Sequence, residues 1–226
     1  MAESNLRLGI FGGTFDPIHL GHIRIAKIAL KLASLNRVHF VTSVNPPHKS
    51  EKTCANFLDR HAMVALALNG QSHFIPSSIE ADRPGKSYSI DTLRYFRYYA
   101  GERGKLFFII GLDAFLEITS WKDFEQFPSL CSFLIFARPG FKMSMLSHRL
   151  FKDLSWRSLT VENFSTPDKP LDHGIYLVRG FSSSISSTEI RQRVLRGSSI
   201  GHCVPREVQV YIQKVGLYRS ISIGEE

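Results

Sequence analysis

The sequence predicts an α/β fold: a parallel sheet with helices on both faces, followed by a C-terminal helical element. Three observations carry that reading. Short apolar runs alternate with amphipathic stretches of roughly 10 to 15 residues, the pattern of right-handed βαβ units. The runs are almost continuously apolar, as strands are when helices cover both their faces. The unusual clusters of glycine, proline, histidine and serine each follow such a run, and parallel sheets bind ligands at the carboxyl ends of their strands.

Taken in order, LRLGIF at 6–11 reads as the first strand. The stretch 20–33 reads as a helix, with apolar residues at Leu20, Ile23, Ile28, Leu30 and Leu32. RVHFVT at 37–42 is a second strand, followed by a loop through NPPHKSEK and a helix at 56–68. Residues 73–80 are strand-like, and 89–100 are helical with Ser87 or Ser89 as the cap. KLFFIIG at 105–111 is the clearest strand, closed by a glycine. Further strands fall at 132–140 and 174–180. Between them the segment from Phe141 to His173 is long for a connection and reads as loop. Helices at 186–197 and 205–216 finish the pattern, each stopped by glycine. One domain over 1–226 is expected, with a core at 1–180 and the helical element at 181–226.

The chain has 226 residues, 43% apolar and 21% charged, which suits one well-cored globular unit. No apolar run approaches the ~20 residues needed to span a bilayer, and the start of the chain has no secretion pattern. Cys54, Cys131 and Cys203 are odd in number and far apart, which fits a reducing cytoplasm better than a disulfide framework. The net charge of +8 favours anionic ligands. Its lysines and arginines are scattered, so neither nucleic acid nor membrane is an expected partner. Oligomeric state is open.

The first loop, GGTFDPIHLGH at 12–22, is neither a Walker loop nor a GxGxxG turn. Gly12 and Gly13 let the backbone approach a ligand, and Pro17 stiffens the turn. His19 and His22 are three residues apart in a first helical turn, where free N–H groups and the helix dipole attract anions. Such a pair could be incidental surface, or metal ligands, although the neighbouring residues complete no such site. Glycines, helix start and imidazoles together favour a third use, as phosphate-binding donors.

This stretch resembles the (H/T)xGH signature of the nucleotidyltransferase superfamily. NPPHK (45–49), SYSIDTL (87–93), IIGLDAFLEITSW (109–121), ARPG (137–140), ISSTEIR (185–191) and VPREVQVYIQKVGLY (204–218) resemble, in that order, the nicotinate-nucleotide adenylyltransferase family. The resemblance implies a Rossmann-like fold and adenylyl transfer from ATP to nicotinate mononucleotide, releasing pyrophosphate. A phosphate monoester has a second pKa near 6 and is largely dianionic at neutral pH, so the attack needs neither a base nor a protein nucleophile. It needs alignment and charge stabilisation.

The resemblance also implies roles for residues. Gly12, Gly13, Thr14, Phe15, His19, His22, Gly111 and Asp113 would meet ATP, with Ser187, Thr188 and Arg191 on its β- and γ-phosphates. His19, His22 and Arg191 would carry the catalysis. His48 and Lys49, helped by Arg138, would hold the mononucleotide phosphate. Ser89 and its neighbours would bind the nicotinate carboxylate, and Trp121 would stack on the pyridine ring. No carboxylate cage for a metal is visible, so Mg²⁺ is expected to arrive on ATP, keeping much of its water shell. The alternatives are a sibling enzyme using nicotinamide mononucleotide or phosphopantetheine, and a nucleotide-binding regulator that has lost catalysis.

Overall fold

The structure, a computed structural model, describes residues 6–44, 55–83, 85–137, 151, 154–161, 170–181 and 183–219. Seven strands form one sheet: β1 (Arg7–Gly13), β2 (Arg37–Thr42), β3 (Phe74–Ser77), β4 (Lys105–Gly111), β5 (Ser132–Phe136), β6 (Trp156–Thr160) and β7 (Ile175–Arg179). Their order is β3-β2-β1-β4-β5-β7-β6, and every pairing is parallel.

Alternate residues of each strand enter opposite cores. Phe107 and Ile109 face a layer with Ile28, Met63 and Ile212, while Leu106, Phe108 and Ile110 face one with Leu93, Phe115 and Phe127. Helices α1 (Leu20–Leu32), α2 (Phe57–Leu68), α6 (Ser187–Leu195) and α7 (Arg206–Val215) cover the first face. Helices α3 (Ser89–Ala100), α4 (Leu112–Leu116) and α5 (Phe127–Leu130) cover the second. The expected two-sided sheet is thus formed. Among the described residues no helix is long and apolar enough to cross a membrane.

Three local expectations need correction. The stretch expected to be a loop after Phe141 contains β6, paired with β7 at the sheet edge. Its side chains are mostly exposed, so it lacks the apolar run that marks the inner strands. Neither Ser87 nor Ser89 caps α3: Tyr88 occupies the N-cap and no side chain caps it. Ser87 hydrogen-bonds the Glu80 carboxyl instead. Finally, β5 ends at Phe136 and β3 spans only Phe74–Ser77, both shorter than the runs that announced them.

The glycine stops are as expected. Gly197 and Gly216 adopt left-handed backbone (φ +68° and +75°) just past α6 and α7. Ser186 caps α6, its Oγ accepting from Glu189 N–H at 3.1 Å.

Candidate active site

The strand order reverses at β1, whose chain-order successors leave on opposite sides: β2 to one side, β4 to the other. A crevice opens at the carboxyl ends of these strands, the place where doubly wound sheets bind nucleotides. It contains a cavity of about 380 Å³, lined on one side by Gly12, Gly13 and Thr14. Gly111 and Trp121 line the β4 side, and Ser87, Tyr88 and Ser89 bring the start of α3 into it.

The loop after β1 is built around His19. This residue is the N-cap of α1, and His22 follows at the third helical position. His22 Nδ1 accepts from the His19 backbone N–H at 3.2 Å, which fixes the proton of a neutral His22 on Nε2. The two imidazoles stack at 3.7 Å, and Phe15 meets His22 edge-on at 5.1 Å. Phe15 is itself buried, so its ring supports His22 and any contact with a ligand falls to its backbone. Gly21 is required by this packing: a Cβ there would lie 2.9 Å from both His19 Nδ1 and Ser183 Oγ.

His19 is 7% exposed, and its Nδ1 is buried without a hydrogen-bond partner. Burial pushes its pKa down to about 4, so it is neutral at pH 7. It can offer an anion an N–H but not a charge. His39, in mid-β2 against Phe96, is likewise held at about 4, by burial first and then by Arg37.

A stability effect follows from these two histidines. The unfolded chain binds a proton at each near pH 6.5, but the folded chain does so only near 4. Stability should therefore fall as pH drops from about 6.5 toward 4, by about 2 kcal/mol per histidine by pH 5. Urea midpoints at pH 7 and pH 5 measure it, and His39→Phe should remove about half of the loss. A midpoint unchanged between the two pH values would refute it.

The C-terminal element closes the site from the other side. Ser187 Oγ donates to Pro17 O at 2.9 Å, and Arg191 Nη1 donates to Asp16 O at 2.7 Å. Arg191 Nη2 reaches Thr188 Oγ1 at 3.3 Å. Tyr218 Oη donates to Asp16 Oδ1 at 2.7 Å, and Leu20 N–H to Cys203 O at 2.9 Å. The structure thus brings ISSTEIR against the loop after β1, as expected. Arg191 binds that loop's backbone, and its side chain is about one-quarter exposed.

These bonds sharpen the expectation for Arg191. Arg191→Ala should raise KM for ATP about tenfold or more, since charge-assisted bonds are worth about 1.5–3 kcal/mol. Lysine should recover only part, because it lacks the planar fork. Unchanged ATP kinetics with a lowered melting temperature would reduce Arg191 to a packing residue.

Not every expected residue is gathered here. Asp113 is exposed in the first turn of α4 and does not line the cavity. His48, Lys49 and Arg138 lie outside the described residues. Among the described residues no three His, Cys, Asp or Glu side chains converge on a possible metal position. Four buried or half-buried polar residues at the site escaped the sequence reading: Asp16, Arg60, Glu80 and Tyr218. Glu80 is 7% exposed, lines the cavity and accepts from Thr92 Oγ1 at 3.1 Å, and burial raises its pKa. Asp16 and Tyr218 lie within the stretches quoted at 12–22 and 204–218, but the sequence pattern assigns no role to either.

Comparison with known proteins agrees with this geometry. The cytidylyltransferase-like family matches residues 10–193. A protein of Thermoanaerobacter sp. named probable nicotinate-nucleotide adenylyltransferase is 39% identical over 217 residues, 96% of each chain. A protein of the same name from Thermus thermophilus is 39% identical over 95% of this chain and all of its own. Among solved structures, Plasmodium falciparum nicotinic acid mononucleotide adenylyltransferase complexed with NaAD shares the fold. It has a TM-score of 0.70 and 22% identity, covering 94% of this chain and 97% of its own. With its signature loop at the switch point and relatives of this identity along nearly its whole length, the chain belongs to the cytidylyltransferase-like proteins and, among them, to the nicotinate-nucleotide adenylyltransferase family.

Proposed function

We propose that the chain transfers the adenylyl group of ATP to the phosphate of nicotinate mononucleotide by direct in-line attack, as a step of NAD synthesis. The observation that carries the reading is the division of the crevice. A histidine-bearing helix start lies after β1, and an aromatic cavity opening on the start of α3 lies between β1 and β4. The first suits a triphosphate and the second a planar ring with a carboxylate.

A phosphate oxygen of the mononucleotide attacks the α-phosphorus, the bond from that phosphorus to the bridging oxygen breaks, and pyrophosphate leaves with the electron pair. His22 Nε2–H stabilises charge on the reacting and leaving phosphates, and His19 assists as a neutral donor. Ser187, Thr188 and Arg191 hold the β- and γ-phosphates, with Gly12, Gly13, Thr14 and Gly111 around the rest of ATP. His48, Lys49 and Arg138 hold the acceptor phosphate. A divalent ion would come with the triphosphate, taking phosphate oxygens and water as ligands and neutralising charge there. Cys131 and Cys203 are buried free thiols, in keeping with a cytoplasmic setting.

The test is pyrophosphate release from ATP with each of three acceptors: nicotinate mononucleotide, nicotinamide mononucleotide and phosphopantetheine. Release with the first and little with the others is expected. A different preferred acceptor would move the chain's activity to a sibling enzyme, and no release with any would leave a nucleotide-binding protein.

A further inference from the structure

Arg60 is the largest fully buried side chain of the protein among the described residues, 1% exposed. Its guanidinium is held by backbone carbonyls. Nη1 donates to Thr14 O and to Ser43 O, both at 2.7 Å. Nη2 reaches Val44 O at 3.4 Å, and Nε reaches Ala55 O at 3.2 Å. Thr14 belongs to the loop after β1. Ser43 and Val44 begin the connection from β2 to α2, and Ala55 is where that connection returns.

A buried cation is costly to desolvate, and a well-packed apolar side chain in its place is often no less stable. Two carboxylates favour its charge from different parts of the site. Asp16 is in the loop after β1 and bonded to Tyr218, and Glu80 lines the cavity. A single fork of donors therefore joins the two loops that follow β1 and β2.

Building on the adenylyl-transfer reading above, we infer that Arg60 is a positioning residue for the reaction: its guanidinium fixes the ATP loop against both ends of the acceptor-phosphate loop, so that the two reacting phosphates meet in line. It touches neither substrate. Its effect is on their alignment, and a displacement of about 1 Å between reacting groups can cost on the order of 10²-fold in rate.

The experiment compares Arg60→Met and Arg60→Lys with the wild type. Each rate is referred to the folded fraction, which is measured by circular dichroism at the assay temperature. Arg60→Met should lower kcat on the order of 10²-fold and raise KM for both substrates. Arg60→Lys keeps one cation able to replace Nη1 between Thr14 O and Ser43 O, and should regain part of kcat. A role in stability alone would lower the melting temperature and leave kcat and both KM values of the folded molecules within about twofold of wild type. That result overturns the inference. Failure of both variants to fold even in the cold also overturns it, since Arg60 would then be needed for the fold itself. If the wild type proved to use another phosphate acceptor, the functional reading would fail separately, and the Arg60 effect would be read with that acceptor.

Discussion

Replacing His22 by alanine should lower kcat by about 10²–10³-fold while the protein stays folded. Loss of one donor aimed at developing charge costs about that much. The Nδ1 atom of His22 is already engaged with the His19 N–H, so the nitrogen left to carry the proton is Nε2. This allows the two nitrogens to be separated. Asparagine at 22 can mimic Nδ1 and keep the helix start capped, but it loses the Nε2 donor, so it should be as slow as alanine. Glutamine places an amide nearer the Nε2 position and should recover part of the rate. Stability should change by only about 1 kcal/mol, the worth of one hydrogen bond. Single-turnover kinetics with a melting curve for each variant measure both effects. A folded alanine variant with nearly normal kcat would remove His22 from the mechanism.

The second large effect is on the acceptor. Nicotinate mononucleotide should be preferred over the nicotinamide form by about two orders of magnitude or more in kcat/KM. The two differ only in a carboxylate against an amide. The start of α3 enters the cavity with Tyr88 at its N-cap and no side chain capping it, so its donors and positive potential are available to a carboxylate. An amide would turn its NH₂ toward those donors and leave one buried and unpaired, at about 1–3 kcal/mol. The loss of a charge-assisted bond adds to this. Glu80 lines the same cavity and works in the other direction, but burial raises its pKa and so opposes its charge. Trp121→Ala should weaken both acceptors together and spare ATP, because stacking does not distinguish the substituents. Equal use of the two acceptors by the wild type would defeat the assignment.

What could be read in the sequence follows from where each signal is stored. β1, β4 and β5 announced themselves because inner parallel strands are apolar on both faces, and α1 did so through its helical spacing. β6 did not, because an edge strand with exposed side chains has the composition of a loop. Helices α4 and α5, of five and four residues, are too short for a periodic signal. In the site, the local pattern around His19 and His22 was legible because a helix start and its cap are made by neighbours in sequence. Arg60 and Glu80 were not. A charged residue inside a helix or beside a turn reads as solvent-facing, and only the packing of distant loops reveals that it is buried. Ser87 shows the same limit: its spacing suited a cap, but its hydroxyl bonds the Glu80 carboxyl instead.

The bond from Tyr218 to Asp16 spans 202 positions of the chain. During synthesis the strand and loop that hold His19 leave the ribosome early, whereas Tyr218 emerges last among the described partners of that loop. At about 5–20 residues per second the interval is roughly 10–40 s. The first strands can pair meanwhile, since β1 needs only β2 and β4 as neighbours. The nucleotide loop, however, gains its buttress of Ser187, Arg191 and Tyr218 only when translation of the C-terminal element is done. A nascent chain that has not yet released Tyr218 would thus hold a sheet whose first loop lacks its buttress, and that loop would take its final form only after the C-terminal helices have emerged.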